Sequence, residues 1–400
     1  MIEVINTTAQ FEQIGQEWNR LLETSRSNCF FLTWEWLSTW WKHHSGERRL
    51  FVITARHGTD LVALVPLAWR PPRYPSVWPF GTLEFLGTGS VGSDYLDVIV
   101  RRHREDTVLP ALAQYLTQAG SLVKLAPVRE QGSLARALAR HWEELGGPLR
   151  TQSTNVCPTI KLSGHDWESY LSTLSSAHRY NYRRKLKQLR NRFDVRFEMA
   201  GTQEERREAL SILLSLHSLR WQNRGGSDAF LNSAAISFHE ELSSLALDRG
   251  WLRLFTLRLD GQPVASLYGF QYNRTFYFYQ SGFDPDWASH SVGLVAMGLA
   301  IQKALEEGAQ EYDLLHGAEE YKFHWARDKH ELASLELYPP DGLGMAWRAA
   351  NGARHSMKEM VRNMLPERMA ALLQETRRRK AVERLYVSKN HQGSHFPTPS

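Results

Sequence analysis

The chain has 400 residues, more than one ordinary core needs and enough for two domains. It is 42% hydrophobic and 23% charged, a globular composition that excludes disorder through most of its length. Its net charge is +5, from 48 basic and 43 acidic residues; this mild excess favours an anionic ligand without marking a nucleic-acid protein. The two cysteines, Cys29 and Cys157, build neither a disulfide framework nor a metal pattern, which suits a reducing cytoplasm. The opening Met1-Ile2-Glu3-Val4 has no basic segment followed by an apolar one, so no signal peptide is expected. The longest apolar run, 292–301, falls short of the roughly 20 residues of a membrane span.

In chain order, residues 1–45 read as a strand, a helix over about 8–24 and a second helix over about 33–44. Thr33 is the expected N-cap of that helix, and Trp36, Leu37, Trp40 and Trp41 form its apolar stripe. The density of tryptophans there points to aromatic core packing. Residues 50–55 and 61–67, around a turn at His57-Gly58-Thr59-Asp60, form a hairpin. A proline-rich loop follows (Pro71, Pro72, Pro75, Pro79). A helix over about 106–119 stops at Gly120, and a strand covers 122–125. A helical pair comes next, about 167–191 and 203–223; its first member carries His178, Arg179, Arg183, Arg184, Lys185, Lys187, Arg190 and Arg192 with no acid among them.

The second half repeats the first. Strands at 251–259 and 263–272 flank the turn Asp260-Gly261, and an aromatic third strand covers 275–281. A helix over about 290–307 stops at Gly308, and a strand covers 312–315. Both hairpins carry Val-Ala after the turn (Val62-Ala63, Val264-Ala265). This weak internal repeat describes two copies of one mixed α/β domain, its period being far longer than a solenoid's. Only the second copy ends in a dense polar cluster, so the chemistry is expected there.

Two stretches carry that expectation. The aromatic strand runs through Gln280 and Ser281 into a turn that feeds a helix through Ser289, His290, Ser291, Val292, Gly293 and Leu294. Unpaired amides and the dipole at a helix start attract phosphate, so this is a candidate pyrophosphate site; the same pattern also describes an ordinary capped helix. The second stretch is Tyr312-Asp313-Leu314-Leu315-His316-Gly317-Ala318-Glu319-Glu320-Tyr321-Lys322-Phe323-His324-Trp325. His316 at a strand end is a candidate general base, with Glu319 and Glu320 able to act through water. Tyr321 could protonate a leaving thiolate, and Lys322 could hold a phosphate or carboxylate. The alternative is a solvated helix start with Glu–Lys pairing.

Taken in order, these pieces resemble a known family. The basic run Ser175-Ser176-Ala177-His178-Arg179-Tyr180, the hairpin Asp260-Gly261-Gln262-Pro263-Val264-Ala265, the strand Tyr279-Gln280-Ser281-Gly282-Phe283-Asp284, the helix start Ser291-Val292-Gly293-Leu294 and the closing Gly317 to Lys322 look like the GNAT-superfamily acetyltransferase domain of CelD-like cellulose-biosynthesis proteins. That domain is itself similar to FemAB peptidyltransferases. The first half joins the resemblance through Trp34-Glu35-Trp36, Leu86-Gly87 and Ser93-Asp94-Tyr95-Leu96-Asp97. The resemblance implies an α/β fold of the mixed-sheet, α+β kind, with tandem GNAT-like acyl-CoA N-acyltransferase domains. Residues 1–155 would be a non-catalytic GNAT-like domain and 156–340 the catalytic one. A basic helical extension would cover 341–388 (Arg377, Arg378, Arg379, Lys380) and a disordered tail 389–400.

The resemblance also implies acyl transfer from acetyl-CoA or another acyl-CoA to an amine or hydroxyl, with no metal. The pantetheine would enter between two splayed parallel strands, here 275–281 and 312–315. Gln280, Ser281, His290, Ser291, Val292, Gly293 and Leu294 would hold the cofactor; His316, Glu319, Glu320, Tyr321 and Lys322 would serve catalysis by their place past the strand end, since the family often carries arginine or another polar residue where His316 sits. The chain departs from the family's phosphate loop, R/Q-x-x-G-x-G/A, by a histidine first (His290) and a valine last (Val295). The expected acceptor is a small molecule or saccharide, and the expected location the cytoplasm. Two other readings stay open. One is a FemAB-like enzyme drawing on aminoacyl-tRNA, which the basic helix suits. The other is a non-catalytic scaffold in exopolysaccharide assembly, which the altered phosphate loop suits.

Overall fold

Alternating apolar residues make the strands and capped amphipathic stretches make the helices, as the patterning requires. The computed structural model describes residues 1–72, 81–89, 91–222, 230, 232–342, 344–349 and 352, with no side-chain description at 220–222. The first half runs β1 (Ile2–Ile5), α1 (Thr8–Gln13), α2 (Gly15–Glu23), α3 (Trp34–His44), β2 (Arg49–His57), β3 (Asp60–Arg70), β4 (Thr82–Phe85), β5 (Ile99–Val100), α4 (Glu105–Gln118), β6 (Leu122–Arg129), α5 (Leu134–Glu144) and β7 (Leu149–Lys161). The helical pair is α6 (Trp167–Thr173) and α7 (Ser176–Arg192). The second half runs β8 (Val195–Met199), α8 (Gln203–Gln222), α9 (Ser233–Asp248), β9 (Leu252–Leu259), β10 (Gln262–Tyr272), β11 (Thr275–Phe283), α10 (Val292–Glu306), β12 (Glu311–Asp313), α11 (Glu320–Trp325) and β13 (Asp328–Leu337).

Three expected helices differ in detail. The helix over 8–24 is two, interrupted before Gly15, against which the Trp34 ring packs. The helix over 167–191 is also two, because Leu174 turns extended and Ser175 then caps α7 through the His178 amide. The helix expected from about 290 begins at Val292, after a 3-10 turn (Pro285–His290) and a left-handed Ser291. Thr33 does cap α3, accepting the Trp36 amide. The proline-rich residues 73–80 and the extension and tail beyond 352 lie outside the described residues. Met1–Gly344 is one unit and the chain from Met345 a second, of which residues 345–349 are helical.

The strands make one mixed sheet in the order β1-β2-β3-β4-β6-β13-β7-β12-β11-β10-β9-β8, with β5 beside β3. Read inward from each edge, the two arms have the same polarity. β1, β2, β3 and β4 pair antiparallel and β4 pairs parallel with β6; β8, β9, β10 and β11 pair antiparallel and β11 pairs parallel with β12. The internal repeat is therefore structural. The centre is an exchange: β7, which follows the first arm, pairs with β12 of the second, and β13, which follows the second, pairs with β6 of the first. β7 and β13 pair with each other along ten register positions. One aromatic core runs under both arms. Trp36 and Trp40 are fully buried in it, and Phe30 of the first half stacks on Phe270 of the second at 4.0 Å. Such pairs contribute about 0.5–1.5 kcal/mol beyond their buried area.

Candidate active site

The parallel ladder between β11 and β12 is short. Thr275, Phe276 and Tyr277 face Glu311, Tyr312 and Asp313, and there it stops. β11 continues to Phe283 beside β10 alone, while the chain after β12 swings toward β7, with the Leu314 amide on the Pro158 carbonyl and the Gly317 amide on the Val156 carbonyl. The turn is made at Leu315, which adopts φ +55, a conformation costly for a non-glycine residue. The buried Asp313 holds it there: one carboxylate oxygen accepts the Leu315 amide at 2.8 Å and the other accepts the Tyr95 hydroxyl at 2.7 Å. Burial lifts the Asp313 carboxyl to about 7. Glu311 lies beside it, 3.3 Å from the His330 ring nitrogen Nε2. The strands expected to splay thus diverge after Tyr277 and Asp313.

A cavity of about 370 Å³ lies against this divergence, between the ends of β10 and β11, the start of α10, and the helices α7 and α11. Ser281, Ser291, Val292, Gly293 and Leu294 line it, as does Tyr321. The first helical bond of α10 runs from the Val295 amide to the Ser291 carbonyl, so the amides of Val292, Gly293 and Leu294 precede the ladder. A helix start of this kind accepts an anion. Two of the expected cofactor residues lie elsewhere. His290 packs against Phe193 and Trp287, because the 3-10 turn and the left-handed Ser291 direct it toward the α7 side. Gln280 pairs in register with Tyr268, on the sheet face that carries His239 and Tyr279, whereas Ser281 pairs with Leu267 on the cavity side.

The candidate catalytic residues separate into groups. The ring Nδ1 of His316 lies 2.9 and 3.0 Å from the two oxygens of Asp94, and its backbone amide donates to the same carboxylate at 3.0 Å. Asp94 is 1% exposed. Hydrogen bonding to Asp94 and that residue's charge raise the His316 pKa above its ordinary value, against burial and Lys322. Lys322 is buried and fully engaged: Nζ donates to the carbonyls of His316 at 2.8 Å and Leu315 at 3.2 Å, and pairs with Glu319 at 3.0 Å. It therefore ties α11 to the turn at Leu315. Glu320 stands in solvent, 3.9 Å from His324.

Sequence reasoning gave no role to two residues here. His178, on α7, lines the cavity edge-on to Trp325, and burial lowers its pKa to about 4, so it is a neutral imidazole. Its only sequence signal was membership of a basic run, which hides it. Asp94 was visible only as part of Ser93-Asp94-Tyr95, with 222 residues separating it from His316.

The first arm has the same short parallel ladder, from Thr82–Glu84 to Leu122–Lys124, but its divergence is occupied. The Leu86 amide returns to Pro66, and the Leu96 amide donates to the Pro127 carbonyl. Residues 91–98 thus run where the second arm has its opening.

Residues 176–323 match the family model of the acetyltransferase (GNAT) domain. The fold is similar to that of FemX, with a TM-score of 0.60 at 12% identity, covering 84% of this chain and 96% of that one. It is also similar to a conserved protein of unknown function from Bacteroides thetaiotaomicron (TM-score 0.52, 14% identity, 84% and 99% covered) and to L-PGS from Bacillus licheniformis (TM-score 0.50, 14% identity, 85% and 95% covered). No curated protein matches the chain in sequence. The second arm carries a GNAT acetyltransferase domain, the first arm repeats its strand order, and the chain is an acyltransferase. No described helix is long and apolar enough to cross a membrane.

Proposed function

We propose that the protein moves an acyl group from acyl-CoA to an amine or hydroxyl of a saccharide or polysaccharide precursor. One observation carries the donor half of this reading: the opening between β11 and β12 adjoins a largely apolar cavity that ends at the first amides of α10. An extended, mostly apolar arm with a phosphate at one end fits such a space. The acyl thioester would lie at the divergence, near His316. As the acceptor's nitrogen or oxygen bonds to the acyl carbon, its proton passes to His316 Nε2. The C–S bond breaks and the thiolate takes a proton from Tyr321 or solvent. The saccharide acceptor rests on the CelD-like resemblance alone.

A second reading, an aminoacyl-tRNA donor of the FemAB kind, is favoured by α7. Among the described residues, Arg183 is the only cation of that helix with an acidic partner, Glu168. Lys185 donates to the Ser289 carbonyl beside the start of α10. Calorimetry and thermal shift with acetyl-CoA and with deacylated tRNA separate the readings. At 100 times its dissociation constant, a ligand adds about 2.7 kcal/mol of stability. Binding of acetyl-CoA alone supports the first reading and binding of tRNA alone the second. Binding of neither removes both and leaves the scaffold.

A further inference from the structure

We propose that the first half of the chain completes the reaction centre of the second: Asp94 is a positioning residue that holds the His316 ring by Nδ1 and leaves Nε2 to meet the acceptor. This rests on His316 being the base of the proposed reaction.

Four observations converge. Asp94 grips His316 twice, at the ring nitrogen and at the backbone amide, so it fixes both the rotamer and the chain that bears it. Its carboxylate is almost wholly buried while the His316 side chain is 44% exposed, so one partner anchors and the other reaches solvent. A buried carboxylate is costly unless paired, and His316 is the ionisable partner that the geometry supplies.

The segment that carries Asp94 is itself held along its length. Ser93 Oγ donates to the Gly87 carbonyl at 2.7 Å and accepts Trp36 Nε1 at 2.8 Å. Tyr95 donates to Asp313, the Leu96 amide to Pro127, and the Tyr279 hydroxyl of β11 to the Val91 carbonyl. A support fixed at so many points places a side chain to within tenths of an ångström, which a positioning role requires.

Finally, the segment makes room for the ring. Gly92 has φ +64, and a Cβ there would come within 3.3 Å of His316 Cε1. The same segment blocks the opening of the first arm, so in this chain it closes one potential donor site and furnishes the other. The charged groups acting on His316 are Asp94, Lys322 and Glu319. Lys322 opposes its protonation, which leaves Asp94 as the main source of its raised proton affinity.

The test uses the full chain labelled with nitrogen-15 histidine, with His316→Gln to assign the signal. Neutral His316 in the wild type should be the Nδ1–H tautomer and should titrate above the ordinary histidine range; an Nε2–H tautomer overturns the proposal. Asp94→Asn should bring that titration down. With acetyl-CoA and glucosamine as probes, the same variant should lower kcat about 10- to 100-fold with an unchanged KM for acetyl-CoA, and move the acidic limb of kcat/KM to lower pH. In a His316→Gln background, Asp94→Asn should cost almost nothing further, because the two act as a unit. Wild-type kcat in Asp94→Asn, or additive losses in the double variant, overturns the proposal. Should Asp94→Asn fail to fold, the wild-type tautomer still decides. Should acetyl-CoA prove not to be the donor, the tautomer and titration still test the pair independently of that reading.

Discussion

The helix start of α10 allows a test in which stability and binding respond with opposite signs. Gly293 is the second residue of α10 and lines the cavity. A Cβ placed on it meets only Phe283, at 3.5 Å, an ordinary contact, and its φ lies outside the left-handed region. Gly293→Asp is therefore accommodated. It gains about 0.3 kcal/mol of helix propensity and about 0.3–1 kcal/mol from a negative charge on the helix dipole. The folded protein should be as stable as the wild type or slightly more so. Donor binding should suffer. A carboxylate about 6 Å from a phosphate, at an effective dielectric constant of about 20, repels it by about 3 kcal/mol, or about 100-fold in affinity. Titration calorimetry with acetyl-CoA at low and high salt measures this, with the melting temperature read on the same preparation. A stable Gly293→Asp protein that binds acetyl-CoA as the wild type does would place the donor phosphates away from α10 and refute the cavity assignment.

Three further outcomes follow from the same geometry. Gly282→Ala should destabilise by about 3 kcal/mol in chemical denaturation, because its Cβ would lie 2.4 Å from the His217 amide nitrogen and 2.7 Å from the Leu216 carbonyl carbon, backbone that cannot rotate away; wild-type stability would show that α8 yields. Lys322→Met should cost about 3 kcal/mol, since it strips a buried and a part-buried carbonyl of a charged donor; a loss confined to the acceptor's KM would show instead that Lys322 touches substrate. Asp313, lifted to about 7, binds a proton in the folded state that the unfolded chain has released above about 4. Stability should therefore fall as pH rises from about 4 to 7, by up to about 1.4 kcal/mol per pH unit, and Asp313→Asn should flatten that slope in urea titrations. Asp97, lifted to about 6 by burial, acts in the same sense over the lower part of this window; an unchanged slope in the variant would show that Asp313 is ionised throughout.

What could be read from the sequence was what is local. The hairpin β2–β3, the strands β9, β10 and β11, and the glycine-stopped helices α4 and α10 carry their own period and punctuation. β7 and β13 are not legible in the sequence, and the reason is physical. Residues 151–154 of β7 are exposed, and its sequence Leu149-Arg150-Thr151-Gln152-Ser153-Thr154-Asn155 has no apolar alternation to display. Both strands are fixed by partners in the opposite arm, an arrangement that no window of ten residues contains. β8, α5 and α9 stand out no better in the sequence, although Ser133 and Asn232 cap the two helices in the usual way. At the site, the segment from Ser291 to Leu294 was legible because a helix start announces itself. The outward turn of His290 was not, since it depends on a left-handed serine that no residue preference predicts.

The strand exchange explains why the chemistry cannot be assigned to one half. β13 lies between β6 and β7, and β7 lies between β13 and β12, so each arm is completed by the other's last strand. The position between residues 155 and 156 falls inside β7. Because β12 is flanked by β7 on one side and by the diverging β11 on the other, the strand that defines the opening is held in place by a strand from the first half. The turn that follows is fastened by Tyr95 through Asp313 and by Asp94 through His316, two adjacent residues of that same half. Interactions that share a segment this short do not add independently. Loosening residues 91–97 should release both the direction of the opening and the orientation of the His316 ring together. The first arm, its own opening occupied, would thus act on the proposed reaction through the rigidity it gives to the second.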